Sequence, residues 1–166
     1  KGKGLAFANW QPNPMWPAAA IVKVFRDGTI EVRIGTDEIG QGLLTVMTQI
    51  AAEQFRIAPD KVRVVHGDTL YTPWDWASNA SRSTWMTGNA VIKACQDAKQ
   101  QLFKLAATRL QVPLDELDIG DGKVYHKLSP EKTIHFGYLF RYDFADKIGE
   151  ILGVGGYQVD CTRPDP

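Results

Sequence analysis

The sequence predicts an α+β fold, a mixed β-sheet with hairpins carrying two main helices on one face, and three observations predict it. Two alternating apolar runs flank an Asp-Gly turn, two long segments repeat apolar residues at three-to-four spacing, and a short β-branched run lies between those segments. At 166 residues with 44% apolar content, the chain is long enough to fill one core. Residues 1–166 are therefore read as a single domain.

Ala20 to Phe25 and Thr29 to Ile34 alternate apolar with polar, and Asp27-Gly28 between them is a strong hairpin signal. Gly40-Gln41-Gly42 follows. Leu43, Val46, Met47, Ile50, Ala51 and Phe55 then form the stripe of an amphipathic helix that ends before Pro59. Lys61 to Val65 reads as a strand closed by Gly67-Asp68-Thr69. Leu70 to Ala80, with Tyr71, Pro73, Trp74 and Trp76, reads as an aromatic loop. Ser81, Ser83 and Thr84 precede a long helix whose stripe is Val91, Ala94, Cys95, Ala98, Leu102, Leu105 and Ala106, stopped at Val112-Pro113. Beyond Asp121-Gly122, Lys123 to Tyr125 pairs with Thr133 to Phe136 as a second hairpin, and Gly153 to Gly156 reads as a turn or hinge.

The balance of 19 basic and 19 acidic residues excludes a global field toward nucleic acid or anionic lipid, so recognition must be local. No apolar run approaches the roughly 18 residues of a membrane span, and the first residues lack the layout of a signal peptide. A soluble, cytoplasmic setting is expected. Cys95 belongs to a helix core, and Cys161 is a loop thiol; neither spacing suits zinc or an iron–sulfur cluster. His66, His126 and His135 have no ligand spacing among them, and Asp68 fits an Asx turn. Trp10, Trp16, Trp74 and Trp76 suit packing, or the lining of a channel.

Two helix starts are candidate sites, because a helix N-terminus leaves N–H groups unpaired and attracts anions. At the first, Gly40 and Gly42 open the backbone while Gln41 places a carboxamide between them. At the second, Ala80, Ser81, Arg82 and Ser83 join small residues, hydroxyls and a guanidinium in a pattern suited to a diphosphate. The same patterns also serve as an ordinary strand-to-helix turn and an ordinary N-cap.

Three ordered segments, DGTIEVRIGTDEIGQGLLTVMTQIAAEQF, VRVVHGDTLYTP and SNASRSTWMTGNAVIKACQ, resemble the molybdenum-binding subunit of the xanthine dehydrogenase and aldehyde oxidase family, the molybdenum hydroxylases. The resemblance runs from Gly4 to Ala107 and weakly beyond. It implies a molybdopterin-binding fold, with Gln41 toward the molybdenum and dithiolene and with Ala80, Ser81, Arg82 and Ser83 on the pterin and diphosphate. It also implies molybdopterin cytosine dinucleotide as cofactor and oxidative hydroxylation of aldehydes or N-heterocycles. Implied partners are the rest of the molybdenum subunit and iron–sulfur and flavin (FAD) subunits or domains, with no nucleic acid and no membrane.

The family's general-base Glu has no counterpart here; Glu150, after Gly149, lies in the wrong context, so no catalytic residue and no protein metal ligand is assigned. The chain is thus expected to be a central piece cut at both ends, inactive and holding no cofactor alone. A free-standing module binding a small ligand through its Trp-rich loop is the alternative. A P-loop-like nucleotide binder ranks last, since G-x-x-x-x-G-K-[ST] is absent and no Lys follows the glycines.

Overall fold

The computed structural model describes residues 1–8, 16–142 and 150–159. Trp10 and Cys161 lie outside the described residues.

The first hairpin pairs β1 (Ala18–Val24) with β2 (Ile30–Ile34) in antiparallel register, Ala20 opposite Ile34 and Val24 opposite Ile30. Its turn closes through Gly28, at φ 87°, and through Asp27, whose Oδ1 accepts from the Thr29 amide at 3.0 Å and hydroxyl at 2.7 Å. From β2 the chain runs through α1 (Leu43–Phe55) to β3 (Val62–His66), which pairs parallel to β2. One turn of π-helix, Ser83–Thr87, leads directly into α2 (Gly88–Leu110). β4 (Leu117–Gly120), β5 (Lys123–His126) and β6 (Ser129–His135) make a separate antiparallel sheet, followed by α3 (Phe136–Tyr142).

The second hairpin pairs Lys123 with His135 and Tyr125 with Thr133, while Phe136, expected in its second strand, opens α3 instead. β4 was not legible: four residues, two of them apolar, give too short a period. Its connection to β5 uses Asp121 and Gly122 at φ 51° and 71°, two consecutive positive values as a tight hairpin turn needs.

The Gly-rich tail is not a hinge. Ile151–Tyr157 forms β7, which pairs antiparallel with β1 and completes the sheet in the order β3-β2-β1-β7. The reason is packing. A Cβ on Gly153 would lie 2.0 Å from the Ala94 carbonyl oxygen, and one on Gly155 would lie 2.1 Å from that of Ala90. These glycines therefore let α2 settle its Ala90, Ala94 and Ala98 stripe directly onto the β7 backbone.

The remaining core follows from the alternation. Ala18, Ala20, Val22 and Val24 of β1 and Ile30, Val32 and Ile34 of β2 are buried against Leu43, Met47, Ala51 and Phe55 of α1 and Val91, Cys95 and Leu102 of α2. Gly88 lets α1 and α2 meet, since a Cβ there would sit 3.0 Å from Ile50 Cδ1. Burial pushes the Cys95 thiol up to about 12, so it packs as a small apolar group. Arg56, at the left-handed C-cap of α1, ties the end of that helix to the second sheet through Asp118 at 2.6 Å and Tyr125 at 3.1 Å.

Asp97 and Gln101 of α2 cover part of the outer edge of β7. Asp97 accepts from the Val154 amide at 3.0 Å, and Gln101 donates to the Leu152 carbonyl at 2.7 Å. Among the described residues, no helix is long and apolar enough to cross a membrane.

The glycine contacts set a measurable asymmetry. Gly155→Ala should lower stability in urea by about 3 kcal/mol, the upper range for overpacking, because its clash is with backbone. Gly156→Ala, with nothing within 4 Å of the added methyl, should stay within about 0.5 kcal/mol of the parent. Equal midpoints for the two variants would refute this account of the tail.

Candidate functional site

The two loops singled out in the sequence meet. A groove of 480 Å³ is lined by Ile39 and Gln41 from the loop before α1 and by Ser78, Asn79, Ala80, Ser81, Ser83 and Thr84 from the loop and turn before α2. The loops are also bonded to each other. Thr36 and Thr87 share a buried hydroxyl–hydroxyl bond at 2.7 Å, Ser78 Oγ donates to the Asp37 carbonyl, and Gln41 Nε2 donates to that carbonyl at 3.0 Å and reaches Ser78 Oγ at 3.4 Å. The Gln41 carboxamide is oriented at its other end by the Ile39 amide, which donates to Oε1 at 2.7 Å.

The second helix start is open. Its N-cap position is Arg82, whose side chain makes no capping bond, so the Ser and Thr cluster does not serve as a conventional N-cap. Ala80 and Ser81 stand at φ 45° and 56°, a left-handed conformation costing about 1–2 kcal/mol per non-glycine residue, and the π-turn follows directly. Strained backbone and π-turns both concentrate where a chain is shaped for a ligand. Exposed Ser81 and Thr84, with Ser83 beside them, present hydroxyls and first-turn amides to the groove.

Two features differ from the sequence reading. Arg82 does not present its guanidinium to the groove; it is fully buried. Nη1 bonds Asp75 Oδ1 at 2.5 Å and the Ala77 carbonyl at 3.2 Å, and Nη2 bonds the Trp16 and Pro17 carbonyls at 3.0 Å. With Asp75 equally buried, the pair is an internal strut that fixes the loop from beneath. A lone guanidinium so far from water requires such a partner, and only the fold supplies Asp75 and the β1 approach.

The first helix start is not an open anion site either. Glu38 fills it, accepting from the amides of Gly40 at 2.8 Å, Gly42 at 3.1 Å and Leu44 at 3.2 Å. Gly40 and Gly42 are required by φ of 99° and 78°; a Cβ at either would touch nothing within 4 Å. Desolvation pushes the Glu38 carboxyl upward, but the amides of Leu44, Gly40, Gly42 and Leu43 outweigh it and hold the group below its ordinary value. The D-E-I-G-Q-G spacing contains the signal: a carboxylate two residues before a glycine at a helix start can fold back onto its amides.

The other residues fall into place by contact. Asp68 makes the expected Asx turn, accepting from the Leu70 amide at 2.9 Å. Trp16 and Trp76 stack at 5.9 Å, and Trp74 and Trp76 border a second groove of 360 Å³ beside Asp37 and Gly67. His126 bonds Glu116 at 2.8 Å, His66 lies 3.7 Å from Asp37, and His135 is exposed.

A family model described as a molybdopterin cofactor-binding domain matches residues 1–162. Subunit gamma of the 6-hydroxypseudooxynicotine dehydrogenase complex of Paenarthrobacter nicotinovorans is 38% identical over 61% of this chain and 13% of its own length. The xanthine dehydrogenase molybdenum-binding subunit of Escherichia coli O157:H7 is 32% identical over 81% of this chain and 18% of its own. A reconstituted CO dehydrogenase from Oligotropha carboxidovorans shares the fold with a TM-score of 0.77 at 25% identity, over 88% of this chain and 18% of that one. The chain thus spans less than a fifth of the length of these relatives.

Arg82→Ala should cost about 3–5 kcal/mol in urea unfolding, since it leaves Asp75 buried and unpaired. Arg82→Met with Asp75→Leu should recover most of that loss; no recovery would show that the strut's value lies in its bonds to backbone rather than in charge pairing. Glu38 adds an acid-side dependence. Its lowered carboxyl contributes stability above the ordinary value of 4.5 that is lost as pH falls through the folded value. The difference in stability between the parent and Glu38→Gln should therefore shrink below about pH 4.5, and a constant difference down to strong acid would contradict the bonding described.

Proposed function

This chain belongs to the molybdenum hydroxylase family as a molybdopterin cofactor-binding domain, and we propose that its groove cradles molybdopterin cytosine dinucleotide through Gly40, Gln41, Gly42, Ala80, Ser81, Arg82 and Ser83. The observation that carries this reading is the single groove lined jointly by Gln41 and by Ala80, Ser81 and Ser83. Its chemistry fits a polyoxygen anion with a heterocycle attached: hydroxyls, first-turn amides and the carboxamides of Gln41 and Asn79, with no carboxylate among the lining residues.

The roles divide by geometry. Ser81, Ser83 and Thr84 bind phosphate oxygens through hydroxyl and backbone donors at the start of the second helix. Ala80 keeps the approach free of bulk. Gln41 supplies an uncharged donor and acceptor on the facing wall, oriented by Ile39 and Asp37. Gly40 and Gly42 act through the turn that presents Gln41, and Arg82 acts through the strut under the second loop. When bound, the cofactor supplies a redox-active metal held by its own sulfurs, so these residues need only bind, orient and exclude water.

The chain works as one part of a cytoplasmic oxidoreductase that hydroxylates aldehydes or N-heterocycles, together with the rest of the molybdenum subunit and iron–sulfur and flavin partners. Support comes from relatives named as a complex subunit and as a molybdenum-binding subunit. Alone the chain is inactive and holds the cofactor poorly, because too few contacts remain to offset ordering and desolvation.

In the whole enzyme, Ser83→Ala should lower cofactor affinity by about tenfold or more, the worth of a hydrogen bond to a charged group, and Gln41→Ala by about fivefold, that of a neutral one. Molybdenum content measured on the purified enzyme checks this, and full occupancy in both variants would remove the proposed roles. Acid hydrolysis should release one CMP per molybdenum; AMP or GMP would refute the cytosine form.

A further inference from the structure

The two walls of the groove are electrostatically unequal. Both begin at helix starts, where unpaired amides attract negative charge. Around the second, the lining is Ser81, Ser83 and Thr84, with no acidic side chain. At the first, Glu38 already sits on three amides, Oε1 on Gly40 and Gly42 and Oε2 on Leu44. Its neighbour Asp37 does not share this task, since its carboxylate lies toward His66 and Gly67.

The same bonds shape what the loop presents. Gly40 and Gly42, the residues on either side of Gln41, are gripped by one oxygen of Glu38. Gln41 between them has its backbone fixed on both sides, and its carboxamide completes the turn by bonding the Ile39 amide and the Asp37 carbonyl. A carboxylate in this place does two things that a neutral side chain would not. Its two acceptor oxygens satisfy all three amides at once, where a carboxamide has one, and its charge repels a second anion from that wall.

Resting on the groove assigned above, we infer that Glu38 is a built-in anion that closes the start of α1 to phosphate and positions Gln41. A polyanionic ligand entering the groove is thereby turned, its phosphates toward Ser81–Thr84 and its uncharged heteroatoms toward Gln41. Glu38 is a positioning residue: it reaches the ligand through Gln41 and through the charge it places on one wall.

The experiment follows amide resonances of the isotopically labelled 166-residue chain during titration with inorganic phosphate. In the parent, the amides of Gly40, Gly42 and Leu44 should not shift saturably. In Glu38→Ala all three should, and in Glu38→Gln, which keeps side-chain volume and one acceptor oxygen for Gly40 and Gly42, the Leu44 amide should. Formate added to Glu38→Ala should return the Gln41 carboxamide resonances toward their parent positions, a recovery that mere loop packing would not produce. Saturable shifts at these amides in the parent would overturn the inference. So would silence in both variants with otherwise parent-like spectra, or Gln41 resonances that ignore both the substitution and formate. The amides of Ser81, Ser83 and Thr84 should respond to pyrophosphate in every form. Their silence would sink the groove assignment while leaving the role of Glu38 at α1 intact.

Discussion

The architecture depends on how closely α2 approaches β7. Helices usually rest on a sheet through side chains, but here the Ala90, Ala94 and Ala98 stripe meets Gly153 and Gly155, and the two backbones come within contact of each other. That closeness sets the depth and tilt of a 23-residue helix. The start of α2 is then carried to the end of the sheet where β2 leaves toward α1, and Thr87 reaches Thr36 there. A bulkier strand would lift the helix, and the loop before it would no longer stand beside the loop carrying Gln41.

Given that placement, the site is built by engaging charge in the loops' own bonds. Each of its two loops holds one ionised side chain whose charge is taken up by the loop's own bonds, neither of them lining the groove. Arg82 is pinned beneath the second loop by Asp75 and three carbonyls, and Glu38, at the surface, is held on the first by three amides. The groove lining is neutral in side-chain charge, and its polarity comes from hydroxyls, two carboxamides and backbone dipoles. Such a surface suits a large anionic cofactor whose own groups carry the chemistry, because oriented dipoles bind phosphate without a flexible cation that must itself be ordered. The strained Ala80-Ser81 pair and the π-turn after it belong to the same design, with local cost offset by the buried strut below.

Much of this was legible in the residues. Period-two alternation on either side of Asp27-Gly28, the helical stripe from Leu43 and the long stripe ending before Pro113 are local signals, and each element formed where its signal lay. Gln41, Ala80, Ser81 and Ser83 were also visible as residues at helix starts, and the ordered motifs carried the family. Gly153 to Gly156 misled because clustered glycine reads as a turn, whereas the meaning of Gly153 and Gly155 here is the absence of a Cβ against a helix about sixty residues earlier.

What the chain's own sequence determined was which segments become helix or strand and which residues sit at their ends, since those follow from spacing and turn chemistry within a few residues. Only the tertiary structure decided that both helix starts border one groove, that Arg82 turns inward and that Glu38 occupies the amides beside Gln41. Burial, distance and the choice of hydrogen-bond partner arise when remote segments meet. A guanidinium or a carboxylate looks the same in the sequence whether it faces a ligand or holds its own backbone in place.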